Sequence, residues 1–113
     1  MKKFVYKICT KSQWYAFKKK KLFYGNKMDL LDGYIHLSNK NQVKITLKRY
    51  FLKKKKLVLL KIESNKLKDL KFEKSSQDKL FPHLYSRLDI DKVKNVYKIF
   101  FEKKGFRFIP FKY

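Results

Sequence analysis

The apolar residues of this chain fall into short blocks with two different periods. Residues 4–9, FVYKIC, and 57–63, LVLLKIE, are nearly continuous apolar runs rich in β-formers, which predicts buried strands, the second central in a sheet. Between them the period lengthens. Trp14 and Phe17 follow Thr10-Lys-Ser-Gln13, a capping-box pattern that predicts a helix to about Lys20. Val43, Leu47, Tyr50 and Phe51 recur at i, i+4, i+7 and i+8, one apolar stripe on a helix over about 39–52, capped by Ser38 or Asn39. Gly25-Asn26 turns the chain, and Asp29 to Gly33 forms a polar approach to a short strand, YIHL, at 34–37.

Beyond Ser64-Asn65, the stretch 67–75 predicts a turn and then a strand, and 75–79 an exposed loop. Pro82 has no amide hydrogen and restrains Phe81, so LFPHLYSRL at 80–88 is expected to be an irregular aromatic and polar loop. The C-terminal region predicts a hairpin over about 93–112, turning at Lys103-Lys104-Gly105. The order β-α-β-α-β-β-β-β is that of an α+β protein, with about two helices against a mixed, mainly antiparallel sheet. At 113 residues the chain is expected to form a single domain, 1–113.

Composition changes this picture in one respect. The net charge is +22, which points towards nucleic acid or an anionic membrane surface. The positive residues, however, are 28 lysines and only Arg49, Arg87 and Arg107, beside 11 Phe, 8 Tyr and a single alanine. That bias follows AT-rich codons, and the planar arginine fork that suits phosphate and base recognition is scarce. Nonspecific nucleic-acid binding through the lysine surface is expected either way. The runs Lys18–Lys21 and Lys53–Lys56 fall at the expected helix C-termini, where positive charge complements the helix dipole. Lys7 interrupts the N-terminal apolar residues, and no stretch is long enough to span a membrane, so a cytoplasmic location is expected. Cys9 is alone and reads as a buried strand thiol.

Several chemistries are excluded by motif. The chain has no glycine-rich phosphate loop, Gly-x-Ser-x-Gly elbow, paired CxxC or HExxH. The two histidines have no local ligand spacing, so no metal site is expected. What remains is a scattered polar set. Tyr34, His36 and Ser38 alternate along one strand and should share a face. If His83 and Tyr85 meet them, with Glu73 or Asp29 near, a compact pocket with acid–base capability results. The plainer alternative is that each histidine hydrogen-bonds backbone beside the core.

WYA at 14–16, YGNKMDLLDGYIHLSNKNQ at 24–42, Thr46, LVLLKIE at 57–63 and FEKSSQDKLFPHLY at 72–85 occur in one order. Together they resemble the bacterial domain of unknown function 952 family, over about residues 4–100. The resemblance implies a small cytoplasmic α+β domain of the ADP-ribosyltransferase-like fold, a group that includes NAD-using transferases. It makes His36, Glu73 and His83 the candidate catalytic residues and Asp29, Ser38, Gln42 and Tyr85 the candidate ligand-binding residues. The implied ligand is small and nucleotide-like or anionic, with NAD as the cofactor to test. An NAD-dependent transferase and a basic RNA-binding accessory protein are the alternatives. The sequence departs from the family where Ser-Arg and glycines usually follow the Glu73 block: here it reads Ser75-Ser76-Gln77-Asp78, without the arginine. Asn39 replaces a usual threonine and keeps capping ability. In NAD-using relatives a first-strand Arg or His holds the dinucleotide and a late-strand Glu stabilises the ribosyl cation. Here the first strand offers only Lys7, while Glu73, or less directly Glu102, offers the carboxylate.

Overall fold

The computed structural model describes residues 2–75 and 78–111. Its largest sheet contains β1 (Phe4–Thr10), β4 (Leu57–Glu63), β8 (Val93–Glu102) and β9 (Gly105–Phe111), in the order β1-β4-β8-β9. A three-stranded sheet has the order β3-β6-β5, from Ile35–His36, Leu80–Leu84 and Leu70–Lys74, and β2 (Leu22–Phe23) pairs with β7 (Leu88–Asp89). Every strand pair among the described residues is antiparallel. A bridge between Tyr6 and Ser38 joins β1 to the chain leaving β3, so the two larger sheets meet edge to edge.

At β4 both faces of the four-stranded sheet are covered, which is why this strand is apolar at successive positions. On one face Val5, Cys9, Val58, Leu60 and Ile62 pack with Trp14 and Phe17 of α1 (Lys11–Lys20) and with Ile35 and Leu84 of the three-stranded sheet. On the other, Tyr6, Ile8, Leu57, Leu59 and Ile99 meet Val43 and Leu47 of α3 (Val43–Tyr50). Thr10 caps α1 as expected, its hydroxyl accepting from Gln13 N at 3.1 Å while Gln13 Oε1 accepts from Thr10 N at 2.8 Å. The hairpin β8–β9 turns at Lys103-Lys104, with Glu102 opposite Gly105.

Three expectations change. Among the described residues there are three α-helices rather than about two: α2 (Lys27–Asp32) occupies the stretch read as an approach to a strand. Its box is made by Asn26 and Asp29 and its end by Gly33, at φ 86°. Tyr50 leaves the predicted stripe and is exposed, because α3 ends there after a 3-10 turn at Lys40–Gln42. Lys53–Lys56 therefore lies in the connection to β4, beyond the helix, whereas Lys18–Lys20 does form the last turn of α1.

The third change concerns Pro82, which sits within the central strand of the three-stranded sheet. The nitrogen and carbonyl of a strand residue point to the same neighbour, and Pro82 O accepts from Leu37 N at 3.0 Å. The missing donor therefore faces the place where β3 has ended at His36, and no β5 hydrogen bond is lost. Of the expected 75–79 loop, Ser76 and Gln77 lie outside the described residues. Among the described residues no helix is long and apolar enough to cross a membrane.

Candidate functional site

The short sheet β3-β6-β5 carries the chemistry. His36 lies directly opposite His83, and His83 directly opposite Lys71, so these three side chains form a row across one face. Alternation adds Tyr34 to that face from the β3 side, Tyr85 from the β6 side and Glu73 from β5. Tyr34 is the centrepiece. Its ring stacks on His83 with centroids 4.0 Å apart, and stands 4.6 Å from His36 and 5.3 Å from Tyr85. The two imidazoles are 5.9 Å apart, edge to face.

Carboxylates hold both imidazoles. Glu73 Oε1 lies 2.9 Å from His83 Nδ1 and accepts from the Tyr85 hydroxyl at 2.6 Å. The hydrogen bond from Tyr85, then that from His83, lowers the Glu73 pKa, and the same contact pushes Tyr85 up to about 12. Tyr85 thus stays protonated at neutral pH and donates a hydrogen bond to Glu73. Tyr34 is also raised, by burial first and then by Asp32, Glu73 and Asp29. His36 stands between two aspartates, with Nδ1 2.6 Å from Asp29 Oδ1 and Nε2 2.8 Å from Asp32 Oδ2. Only the ring protonated on both nitrogens donates to both.

Beneath this face is a buried ion pair. Lys7, on the core side of β1 between Val5 and Cys9, places Nζ 3.1 and 3.0 Å from the two oxygens of Asp29 and 3.0 Å from His36 O. An ammonium has three hydrogens, and three acceptors surround this one. Asp29 also accepts from His36 N at 3.0 Å and from Asn26 N at 2.8 Å. One carboxylate therefore ties β1, α2 and β3 together. Burial alone would raise the Asp29 pKa, but the hydrogen bond from His36, the Lys7 charge and the two amides outweigh it and bring it down to about 2. Burial is the main influence on Lys7 and lowers its pKa, against the pull of Asp29.

A depressed carboxylate stabilises the fold above its unfolded pKa, near 3.8, and that contribution is lost as pH falls through about 2. It amounts to about 2 kcal/mol. We expect urea midpoints of the wild type to fall by that measure between pH 4 and 2, and those of Asp29→Asn to fall less. Equal acid sensitivity would place the protons elsewhere.

The structure thus brings together Asp29, His36, Glu73, His83 and Tyr85 of the expected site residues, and leaves two outside. Ser38 is buried beside β1 and bonds Thr46 Oγ1 at 3.1 Å. Gln42 completes the box at Asn39 and donates to Leu80 O at 2.8 Å, a contact that pins the 3-10 turn to β6. For Ser38 the cause is that β3 ends at His36, so the alternation extrapolated from it does not continue; Gln42, a candidate through the family resemblance, lies in the 3-10 turn that follows. Glu63, at the end of β4, is fully buried and pairs with Lys66 at 3.0 Å and Lys2 at 3.5 Å. Glu102 pairs with Arg107 at the hairpin. Sequence reasoning missed Tyr34 as the stacking centre, Asp32, and above all the buried pairing of Lys7 with Asp29. The available signal was a lysine between Val5 and Cys9 at strand spacing, a charge placed on an apolar face.

Antiparallel sheets, three short helices and an imidazole pair clamped by carboxylates define a small α+β protein with its candidate site on a minor sheet. Residues 8–96 match the family described as protein of unknown function (DUF952), and the chain belongs to that family. It is similar to protein CC0527 from Caulobacter crescentus, whose crystal structure aligns with TM-score 0.85 at 36% identity, covering 95% of this chain and 92% of that one. The solution structure of CC0527 aligns with TM-score 0.81 at the same 36% identity, over 91% and 90% of the two chains. No curated protein matches the chain.

Proposed function

We propose that the face formed by Tyr34, His36, Glu73, His83 and Tyr85 binds a small planar molecule with a hydrogen-bonding edge, such as the base or pyridine ring of a nucleotide-like ligand. The observation that supports this reading is the in-register histidine pair with Tyr34 stacked against it. Aromatic rings offer stacking area, and a phenol, two imidazoles and a carboxylate beside them offer directional donors and acceptors. In an enzymatic version His36 or His83 moves a proton and Glu73 stabilises developing positive charge.

The residues do not fit a dinucleotide grip of the kind expected from NAD-using relatives. Lys7 is the only cation on the first strand, and all its donors are engaged inside the protein. The ADP-ribosyltransferase reading therefore lacks its phosphate anchor, and the site recognises the ring end of a ligand. Lys71, 5.2 Å from the Tyr85 ring, offers a cation to an anionic end.

Ligand-induced thermal stabilisation tests this at moderate salt, with nucleotides, their nucleosides, NAD and nicotinamide. At about a hundred times the dissociation constant, binding adds about 2.7 kcal/mol to stability. We expect nucleosides or nicotinamide to stabilise the wild type nearly as well as their phosphorylated forms, and His36→Ala to lose the effect. Stabilisation that needs the phosphates, survives His36→Ala and vanishes with salt would overturn the proposal.

A further inference from the structure

The opposite side of the four-stranded sheet carries a different surface. Helix α3 covers only part of that face. Beside it an open groove of about 940 Å³ runs over Tyr6, Leu59, Tyr97, Phe106 and Phe108, rimmed by Lys40, Lys44 and Lys61. A second groove of about 510 Å³ lies at the end of the same strands, past Ile99 and Phe101, beside Lys53–Lys56; it reaches round to Val58, Lys98 and Phe100, which alternate to the other face, and to Lys11 of α1. The continuity follows from strand alternation. Leu57, Leu59 and Lys61 share one side of β4, as Tyr97, Ile99 and Phe101 share one side of β8. Register places Phe106 opposite Phe101 and Phe108 opposite Ile99, which extends the aromatic floor onto β9.

The charge on this surface is of one sign. Among the described residues nine lysines line the two grooves and no carboxylate does, although the chain has nine acidic residues. Three of those nine, Asp29, Asp32 and Glu73, stand at the histidine site. On this face a floor of half-buried rings coincides with a rim whose charged side chains are all lysines.

We propose that this face binds single-stranded nucleic acid, with bases laid on Tyr97, Phe106 and Phe108 and phosphates followed by the lysine rim. Stacking on aromatic rings within a positive groove is the physical basis of sequence-tolerant single-strand binding, because every base has a π face. A duplex keeps its base faces stacked inside and gains only the lysines. A flat anionic bilayer gains the lysine charges but offers no planar face for these half-buried rings to stack on.

The test is fluorescence anisotropy with a labelled single-stranded RNA of about 12 nucleotides, its duplex, and vesicles rich in anionic lipid, across a salt series. The single strand should bind at least about ten times more tightly than the duplex at physiological salt. Lys40→Gln, Lys44→Gln and Lys61→Gln combined should weaken binding and reduce the salt slope by about 2, from roughly 0.7 per lost phosphate contact. The charge-matched change of Lys19, Lys20 and Lys21 to Gln, on the far side of the sheet, should leave the slope nearly unaltered. Tyr97→Leu should weaken binding by about five-fold or more with the slope unchanged. Should Tyr97→Leu melt early, Phe108→Leu serves the same purpose. Equal weakening by both lysine triples, equal affinity for the duplex, or a preference for vesicles would overturn the proposal.

Discussion

Replacing Lys7 by methionine is expected to destabilise the protein by about 3–5 kcal/mol, the range for removing one partner of a buried ion pair. Methionine fills much of the same volume, so the loss measures charge rather than packing. The reason is the position of Asp29, whose side chain is 1% exposed and shares that buried space with Lys7, itself 4% exposed. Without the ammonium, Asp29 keeps the amides of Asn26 and His36 but loses the charge nearest its second oxygen. His36 O loses a donor as well. Urea unfolding of the wild type, Lys7→Met, Asp29→Asn and the double variant gives the coupling directly. The double variant should be more stable than Lys7→Met alone. If it is instead the sum of the two single losses, the pair is not coupled and Lys7 is held for another reason.

A loss of about the same size is expected from Gly25→Ala, although it changes no charge. Gly25 has φ +126°, and a Cβ there would stand 2.7 Å from the Cβ of Asp29. The backbone conformation costs a non-glycine residue about 1–3 kcal/mol, and the overlap adds about 1–3 kcal/mol more. The overlap falls on the residue that joins β1, α2 and β3, so relief by moving Asp29 breaks its contacts with Lys7 and His36. Gly33→Ala is the internal comparison. Gly33 also has positive φ, at +86°, but a Cβ there meets nothing within 4 Å. It should cost only the left-handed backbone penalty, about 1–2 kcal/mol. Equal losses at the two glycines would show that the contact with Asp29 carries no energy.

The elements that were legible in the sequence are those specified by neighbouring residues. The box at Thr10 and Gln13 and the two-sided apolarity of Leu57–Glu63 depend on nothing distant, and both appear as expected. Helix α2 was written in the same grammar, Asn26-x-x-Asp29 closed by Gly33, but six residues are too few to show a period. The strand through Pro82 was illegible for another reason. Whether a proline breaks a strand depends on which neighbour its nitrogen faces, and that neighbour, Leu37, is 45 positions away.

The same division runs through the candidate site. Residue type alone marked the two histidines, Glu73, Tyr85 and Asp29 as groups able to bind and move protons, and the motif blocks around them marked the family. That His36 and His83 face each other, that Tyr34 fills the space between them and that Ser38 and Gln42 turn elsewhere were decided by the register of β3 on β6 and by where β3 ends. Lys7 shows the limit most plainly. By itself a lysine in an apolar strand reads as an interruption; only the packing of α2 against β1, which brings Asp29 to its ammonium, makes it a structural centre. Capping and alternation are local and short-ranged, so the sequence by itself determined them. Ion pairs and stacking need atoms within a few ångströms, and only the folded chain brings distant residues that close.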